Sequence, residues 1–369
     1  MKINRRHFLG KGLHTGLLLG LCNHPGISYA LSPTTGKRRH PVSIFAFDPG
    51  IDANRFAADC KRWGIERAIL HPGFFKDDAM HKALNKYGID LWLNFPVFHN
   101  PGFLATHPDY YSITNRGRKA IHDWCHFVCP NRPDYIWSEI ETAANLAGTL
   151  RPTTMSLDFI RFFVFWEQVD IHGNPDSIED GCYCPACLQA FATASNITPP
   201  PTEAAAFIRK HAKPQWGLWK SQHITETAQR YIAALRSASP ASAIWIKTVP
   251  WKQKDLDGAI LSSAGQNIKA LGKLVDGIAP MAFTHILRQT PDWKKSLLYE
   301  VTSSTGKPVM SYVQVEQVIR NKKIPLPQFT NELESALTGN NAGVVVFHYE
   351  QLLRSPEKAA IIKTCLQKS

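Results

Sequence analysis

Eight short apolar runs recur along this chain, each followed by a stretch of helical hydrophobic spacing, and that alternation limits the possible folds more than any single residue does. The runs cover 42–48, 67–71, 91–97, 154–162, 243–249, 277–283, 308–314 and 343–349. Helical patterns at 54–63, 78–87, 135–150, 219–238, 293–303, 328–337 and 356–366 lie between or after them. Strand then helix, repeated, implies parallel strands, because a parallel pair needs a crossover long enough to hold a helix. Eight parallel strands close a barrel, so the expected fold is an α/β (β/α)8 TIM barrel, one domain over residues 41–369. An open doubly wound sheet also alternates strand and helix, but its glycine-rich dinucleotide fingerprint is missing, and no organic cofactor is expected.

The 369 residues exceed the ~250 of a typical barrel. The excess falls at 99–152, after the third run, and at 164–215, after the fourth. Long loops at those places build a binding cleft or a lid. In the fourth run, Thr154, Ser156 and Asp158 share one face while Met155, Leu157 and Phe159 share the other. A parallel strand is normally covered on both faces, so a polar face must look into something wet, and Asp158 at the C-terminal end sits where barrels place their active sites.

The N-terminus carries Arg5-Arg6-His7-Phe8-Leu9, a short apolar stretch from Gly16 to Cys22, and Ser28-Tyr29-Ala30. This is the layout of a twin-arginine signal peptide over residues 1–30, cleaved after Ala30 and followed by a linker at 31–40. The apolar stretch falls short of the ~20 residues of a membrane span, so no stable membrane anchor is expected after cleavage. The twin-arginine export machinery is then a partner, and the mature protein is periplasmic or secreted. Cleavage removes four basic residues and no acid, taking the formal charge from +12 to +8. That balance favours anionic partners, but the Lys and Arg residues are scattered and form no nucleic-acid motif, so no nucleic-acid partner is expected.

Eight cysteines occur: Cys22, Cys60, Cys125, Cys129, Cys182, Cys184, Cys187 and Cys365. Cys182-Tyr183-Cys184-Pro185-Ala186-Cys187 packs three sulfurs into six residues, three quarters of a tetrahedral zinc site. Disulfides are the alternative in an oxidising compartment, including one between Cys60 and Cys365 on the first and last helices. Together with Cys129-Pro130-Asn131 upstream, this segment resembles the zinc cluster of glycoside hydrolase family 42 β-galactosidases. The resemblance implies a structural zinc held by Cys129, Cys182, Cys184 and Cys187, with Cys125 as substitute for the fourth ligand, tying the two long loops together.

Asp158-Phe159-Ile160-Arg161-Phe162 resembles the fourth-strand signature of uncharacterised glycoside-hydrolase-like barrels, in which the Asp is the suspected catalytic acid. The chain departs from the β-galactosidases by having Leu157-Asp158 where they carry an Asn-Glu pair, so their chemistry does not transfer. Glycoside hydrolysis generally needs two carboxyl groups. Glu167 is the preferred partner of Asp158, because Phe165 and Trp166 would desolvate it and raise its pKa, as a proton donor requires. Glu350 is the second choice; Glu316 and Asp48 follow. Arg161, His71, Asn94, Lys247, Gln314, His348, Tyr349 and Glu350 fall at strand ends and form a candidate substrate-binding set, with Arg161 able to hold Asp158 or contact an acidic sugar. Trp92, Trp124, Trp166, Trp245 and Trp251 fall near the same rim as surfaces for stacking on sugar rings. The expected function is an exported glycoside hydrolase acting on an oligo- or polysaccharide. The alternatives are a barrel that binds carbohydrate without turnover and a metal-dependent hydrolase using His71, His285 and His348, which no His-x-His spacing supports.

Overall fold

The computed structural model describes residues 40–319 and 323–368. The expected signal peptide at 1–30, its cleavage site and Cys22 lie outside the described residues, as does the linker up to residue 39.

Eight parallel strands form one sheet: β1 (Val42–Phe45), β2 (Arg67–Leu70), β3 (Asp90–Pro96), β4 (Thr154–Asp158), β5 (Ala243–Thr248), β6 (Gly277–Pro280), β7 (Met310–Gln314) and β8 (Gly343–Phe347). Each neighbours its successor in sequence, and β8 returns to pair with β1, Val42 opposite Val344. The seam between β6 and β7 is closed by the bridge of Ile278 with Val309 and by the Ile278 N–H donating to the Pro308 carbonyl at 3.0 Å. The result is a (β/α)8 TIM barrel.

The helices that follow the strands are α1 (Ala53–Trp63), α2 (Ala79–Tyr87), α3 (Pro133–Leu150), α4 (Lys213–Ala238), α5 (Ile268–Gly272), α6 (Pro291–Thr305), α7 (Leu326–Leu337) and α8 (Pro356–Lys368). α1 shows how its bounds arise: the Asp52 carboxylate accepts the Arg55 N–H, and Gly64 stops the helix at φ 77°, a conformation that costs glycine little.

Strand alternation produces two apolar layers. Ile44, Leu93, Leu157, Ile246, Val313 and Val346 face outward and pack under the helices. Phe45, Ile69, Trp92, Trp245, Ala279, Tyr312 and Val345 fill the interior. The Trp92 and Trp245 indoles lie 5.3 Å apart at the lower end of the barrel. Gly277 is required there, since a Cβ on it would stand 2.5 Å from the Trp245 ring. Two of the five rim tryptophans are thus interior packing, and Trp251 is buried as well.

The long loops after β3 and β4 add a short hairpin, Ile121–His122 with Cys125–His126, and an 11-residue helix, Pro185–Ser195. Among the described residues no helix is long and apolar enough to cross a membrane.

Candidate functional site

A cleft of about 800 Å³ opens at the C-terminal ends of the strands. Its walls are largely aromatic, with Phe45, Phe47, Trp124, Phe159, Trp166, Phe283, Tyr312 and Phe347 among them, and its polar lining includes His71, Asn94, Asp158, Glu167, Lys247 and His348. The polar face of β4 therefore meets the mouth of the barrel.

Asp158 is only 4% exposed, and both its oxygens are engaged. Oδ2 accepts the Asn94 amide at 3.1 Å and pairs with the Lys247 ammonium at 3.2 Å, while Oδ1 accepts the Phe159 N–H at 2.8 Å. Asn94 is fixed in turn by the Ser156 hydroxyl, which donates to its Oδ1 at 2.7 Å. The Lys247 ammonium sits 4.3 Å from the Phe45 ring centre, and burial lowers its pKa against the pull of Asp158. Neighbouring strands in register bring these residues together: Asn94 lies opposite Ser156, and Pro96 opposite Asp158.

Glu167 follows on the β4 loop, in the turn Trp166–Gln168. Burial pushes its carboxyl up to about 7 against the attraction of Arg161, and the charge of Asp158 adds to the rise. Its Oε2 is buried without a protein hydrogen-bond partner, as are the Trp166 indole N–H and the Tyr312 hydroxyl. All three residues line the same cleft. Buried polar atoms are nearly always satisfied in native proteins, so three orphans around one cavity are atoms awaiting a ligand or water.

The remaining sequence-derived residues divide. His71 and His348 line the cleft. His71 Nδ1 accepts the Gly73 N–H at 3.1 Å, which leaves its Nε2 to donate to the Phe47 carbonyl at 2.9 Å. Glu350 instead faces the protein: its carboxylate takes the Phe47 and Asp48 N–H groups at 2.8 and 2.9 Å and the His348 ring at 2.6 Å. Burial opposes its charge, but these hydrogen bonds hold its pKa down at about 2, well below a proton donor's range.

Arg161 is buried beneath the loop, donating to the Phe162 and Val164 carbonyls at 3.2 and 2.8 Å with its guanidinium over Phe127. Gln314 is buried, its amide 3.4 Å from the Glu316 carbonyl, and Tyr349 donates to Asp59 on α1 at 3.0 Å. None of these three lines the cleft, and neither does Glu350. Glu316 is held by Lys358 at 2.6 Å.

Reading the sequence missed four contributors. Glu139 on α3 lines the cleft, pushed by burial up to about 7. His99 lies tilted against Phe159 and edge-on to Trp124, its pKa lowered by burial to about 4. Tyr312 and Phe47 complete the wall. Tyr312 was findable, since it shares the inward phase of β7 with Gln314. Glu139 was not, because a surface-type Glu within a helical pattern gives no sign of facing a cleft.

The second feature is the sulfur cluster. Cys129, Cys182, Cys184 and Cys187 are all buried, with their sulfurs within 4.8 Å of one another. Cys129 Sγ lies 3.6 Å from that of Cys184 and 3.5 Å from that of Cys187. A tetrahedron with ~2.3 Å metal–sulfur bonds has sulfur–sulfur edges of about 3.8 Å, so the four fit around one cation. No disulfide joins any of the seven described cysteines, Cys60 and Cys365 included. The Cys184 thiol is pulled down strongly by hydrogen bonds from its three sulfur neighbours, which favours a thiolate there. Local sequence builds the site: Cys184 occupies the N-cap position and Pro185 starts the helix, which brings Cys187 back over the same point. Cys129 arrives from the β3 loop just before α3. Cys125 stands apart, its thiol pushed by burial up to about 12.

No protein-family model matches this chain, and no curated protein matches it in sequence. Solved structures do. The PgaB (BpsB) glycoside hydrolase domain from Bordetella bronchiseptica superposes with TM-score 0.62 at 15% identity, over 88% of this chain and 98% of that one. A β-galactosidase from the Antarctic haloarchaeon Halorubrum lacusprofundi gives 0.68 at 14% identity, over 89% of this chain and 58% of its own. A family 42 β-galactosidase from G. stearothermophilus gives 0.65 at 12% identity, over 89% and 57%. The chain thus spans less than three fifths of those β-galactosidases and nearly all of the PgaB domain. At these identities the likeness is one of fold: a glycoside-hydrolase-like barrel carrying a cluster of four cysteines.

Proposed function

We propose that this protein is an exported glycoside hydrolase acting on an oligo- or polysaccharide, with Glu167 as general acid and Asp158 as nucleophile or base. The observation that carries the reading is the convergence on one aromatic cleft of an anchored carboxylate, Asp158, a carboxyl raised to about 7, Glu167, and the orphaned polar atoms of Trp166 and Tyr312. Two carboxyl groups in different environments are what acid-assisted cleavage of a glycosidic bond uses: one holds a proton near neutrality and delivers it to the leaving oxygen. Asn94, Lys247 and the Phe159 N–H fix the other in place. Flat apolar walls suit the faces of sugar rings, and glycoside hydrolases among the structural neighbours support a carbohydrate substrate.

The four cysteines support a structural zinc that ties the β3 and β4 loops together; four thiolates make a closed tetrahedral site of the kind structural zinc occupies. Export rests on the twin-arginine pattern, which suits a metal loaded before release.

One observation favours the non-catalytic alternative: both Asp158 oxygens already have partners. Replacing Asp158 by Asn separates the two readings. Loss of turnover by ~10²–10⁴-fold with glycan binding retained supports the hydrolase. A wild-type protein that binds glycans yet turns over none of a broad panel is the binding barrel.

A further inference from the structure

Beside the main cleft lies a second pocket of about 270 Å³, lined by Glu167, Gln168, His285, Ile286, Arg288, Gln317 and Ile319. It shares Glu167, Ile286 and Ile319 with the cleft, so the two adjoin at the proposed acid. Their chemistry differs sharply. The cleft is aromatic; this pocket presents a guanidinium, an imidazole and two carboxamides.

The imidazole is held from behind. His285 Nε2 lies 3.1 Å from Glu332 Oε2, and Glu332 is a carboxylate held low, at about 2, by Lys294, His285 and Thr284 despite its burial. Such a carboxylate only accepts, so the proton on Nε2 is committed to it and Nδ1 of the neutral ring is left to accept from a sugar hydroxyl, which leaves the carboxylate itself to Arg288. Arg288 caps the short helix Thr284–Leu287, and among the described residues no acid pairs with it. Its fork matches a planar carboxylate, which it can bind through two parallel hydrogen bonds.

We propose that this pocket binds the carboxylate of a uronate residue in the glycan, making the substrate an acidic polysaccharide. The proposal rests on the hydrolase reading for the identity of the cleft and goes beyond it in naming the substrate class. It transfers the acidic-sugar contact from Arg161, which is buried under the loop, to Arg288. The formal charge of +8 expected of the mature chain acts in the same direction, concentrating a polyanion at the surface. An anion seated here also works with the neighbouring acid, because negative charge near Glu167 favours its protonated form.

The test compares a uronate-containing oligosaccharide with the same compound reduced at C6 to the neutral sugar, on wild type and on Arg288→Ala. Binding is measured on an Glu167→Gln background, where turnover does not intrude, and kcat/KM on the otherwise wild-type enzyme. A charge-assisted contact is worth ~10–100-fold. Wild type should bind the uronate that much more tightly than its reduced form. Arg288→Ala should lose the same factor on the uronate, and the two changes combined should cost no more than either alone. Indifference of wild type to carboxyl reduction, or a penalty for Arg288→Ala that is equal on both ligands, overturns the pocket. Arg288-dependent uronate binding without turnover of either compound keeps the pocket and removes the hydrolase, so the two failures are distinct.

Discussion

Two buried carboxyl groups on this barrel meet opposite fates. Glu332, on α7, has each oxygen satisfied: Oε1 accepts Thr284 at 2.6 Å and Lys294 at 2.8 Å, and Oε2 accepts His285. Its pKa is held at about 2 although burial opposes charge. Glu167, at the mouth, keeps one buried oxygen without a partner and is pushed up to about 7. Burial opposes charge in both; what differs is that Glu332 is given a directly paired cation, Lys294, and hydrogen bonds to both oxygens. A satisfied buried acid is part of the scaffold, whereas an unsatisfied one holds a proton it can give away.

The same substitution should therefore act on different observables in the two places. Glu167→Gln is expected to lower turnover of a cleavable glycan by ~10²–10⁴-fold without a loss of stability, and to raise stability near neutral pH, where the buried carboxyl resists ionisation. Glu332→Gln is expected to reverse this, costing ~3–5 kcal/mol in urea unfolding, because it strands the Lys294 ammonium in the core. Equal stability losses for the two variants would break the comparison.

Acidity sharpens it next, since the two groups have opposite linkage signs. Glu332 is held below its unfolded value of about 4.5, so its stabilisation is present above that pH and is lost as pH falls toward about 2. Glu167 is raised, so its contribution is complete below pH 4.5 and disappears as pH climbs through about 7. Unfolding curves from pH 3 to 8 should show the low-pH slope flattened in Glu332→Gln and the neutral slope flattened in Glu167→Gln. Turnover should fall above pH 7 as Glu167 loses its proton.

Metal analysis of the purified protein should find about one zinc per chain, and stripping it should lower the unfolding temperature more than Glu167→Gln does. Zinc-free protein of unchanged stability would remove the metal from the account. The smallest effect is expected at Trp124. Its ring is 44% exposed and lines the cleft, so Trp124→Ala should leave stability nearly unchanged and weaken glycan binding by ~3–10-fold, the worth of one stacking contact.

Much of the barrel was legible in the sequence because strand and helix periodicities are local. The inward phase of Thr154, Ser156 and Asp158 follows from alternation alone, and the Cys182–Cys187 spacing announces its own convergence. Long-range partners were not legible. Arg161 and Tyr349 stand at strand ends like His71, yet the first turns under the loop toward the Phe162 and Val164 carbonyls, and the second turns outward to Asp59. Glu350 read as a possible acid, but two backbone N–H groups of the β1 loop, some 300 residues away, claim its carboxylate.

The sequence by itself determined the eight strand–helix units, the face on which Asp158 lies, and a cysteine cluster short of one ligand. Closure of the barrel decided the rest: which acids share a cavity, which find partners, and that Cys129 reaches the other three sulfurs. The reason is physical. Side-chain phase is set by neighbours one or two residues away, whereas burial and hydrogen-bond satisfaction depend on segments that meet only when β8 returns to β1.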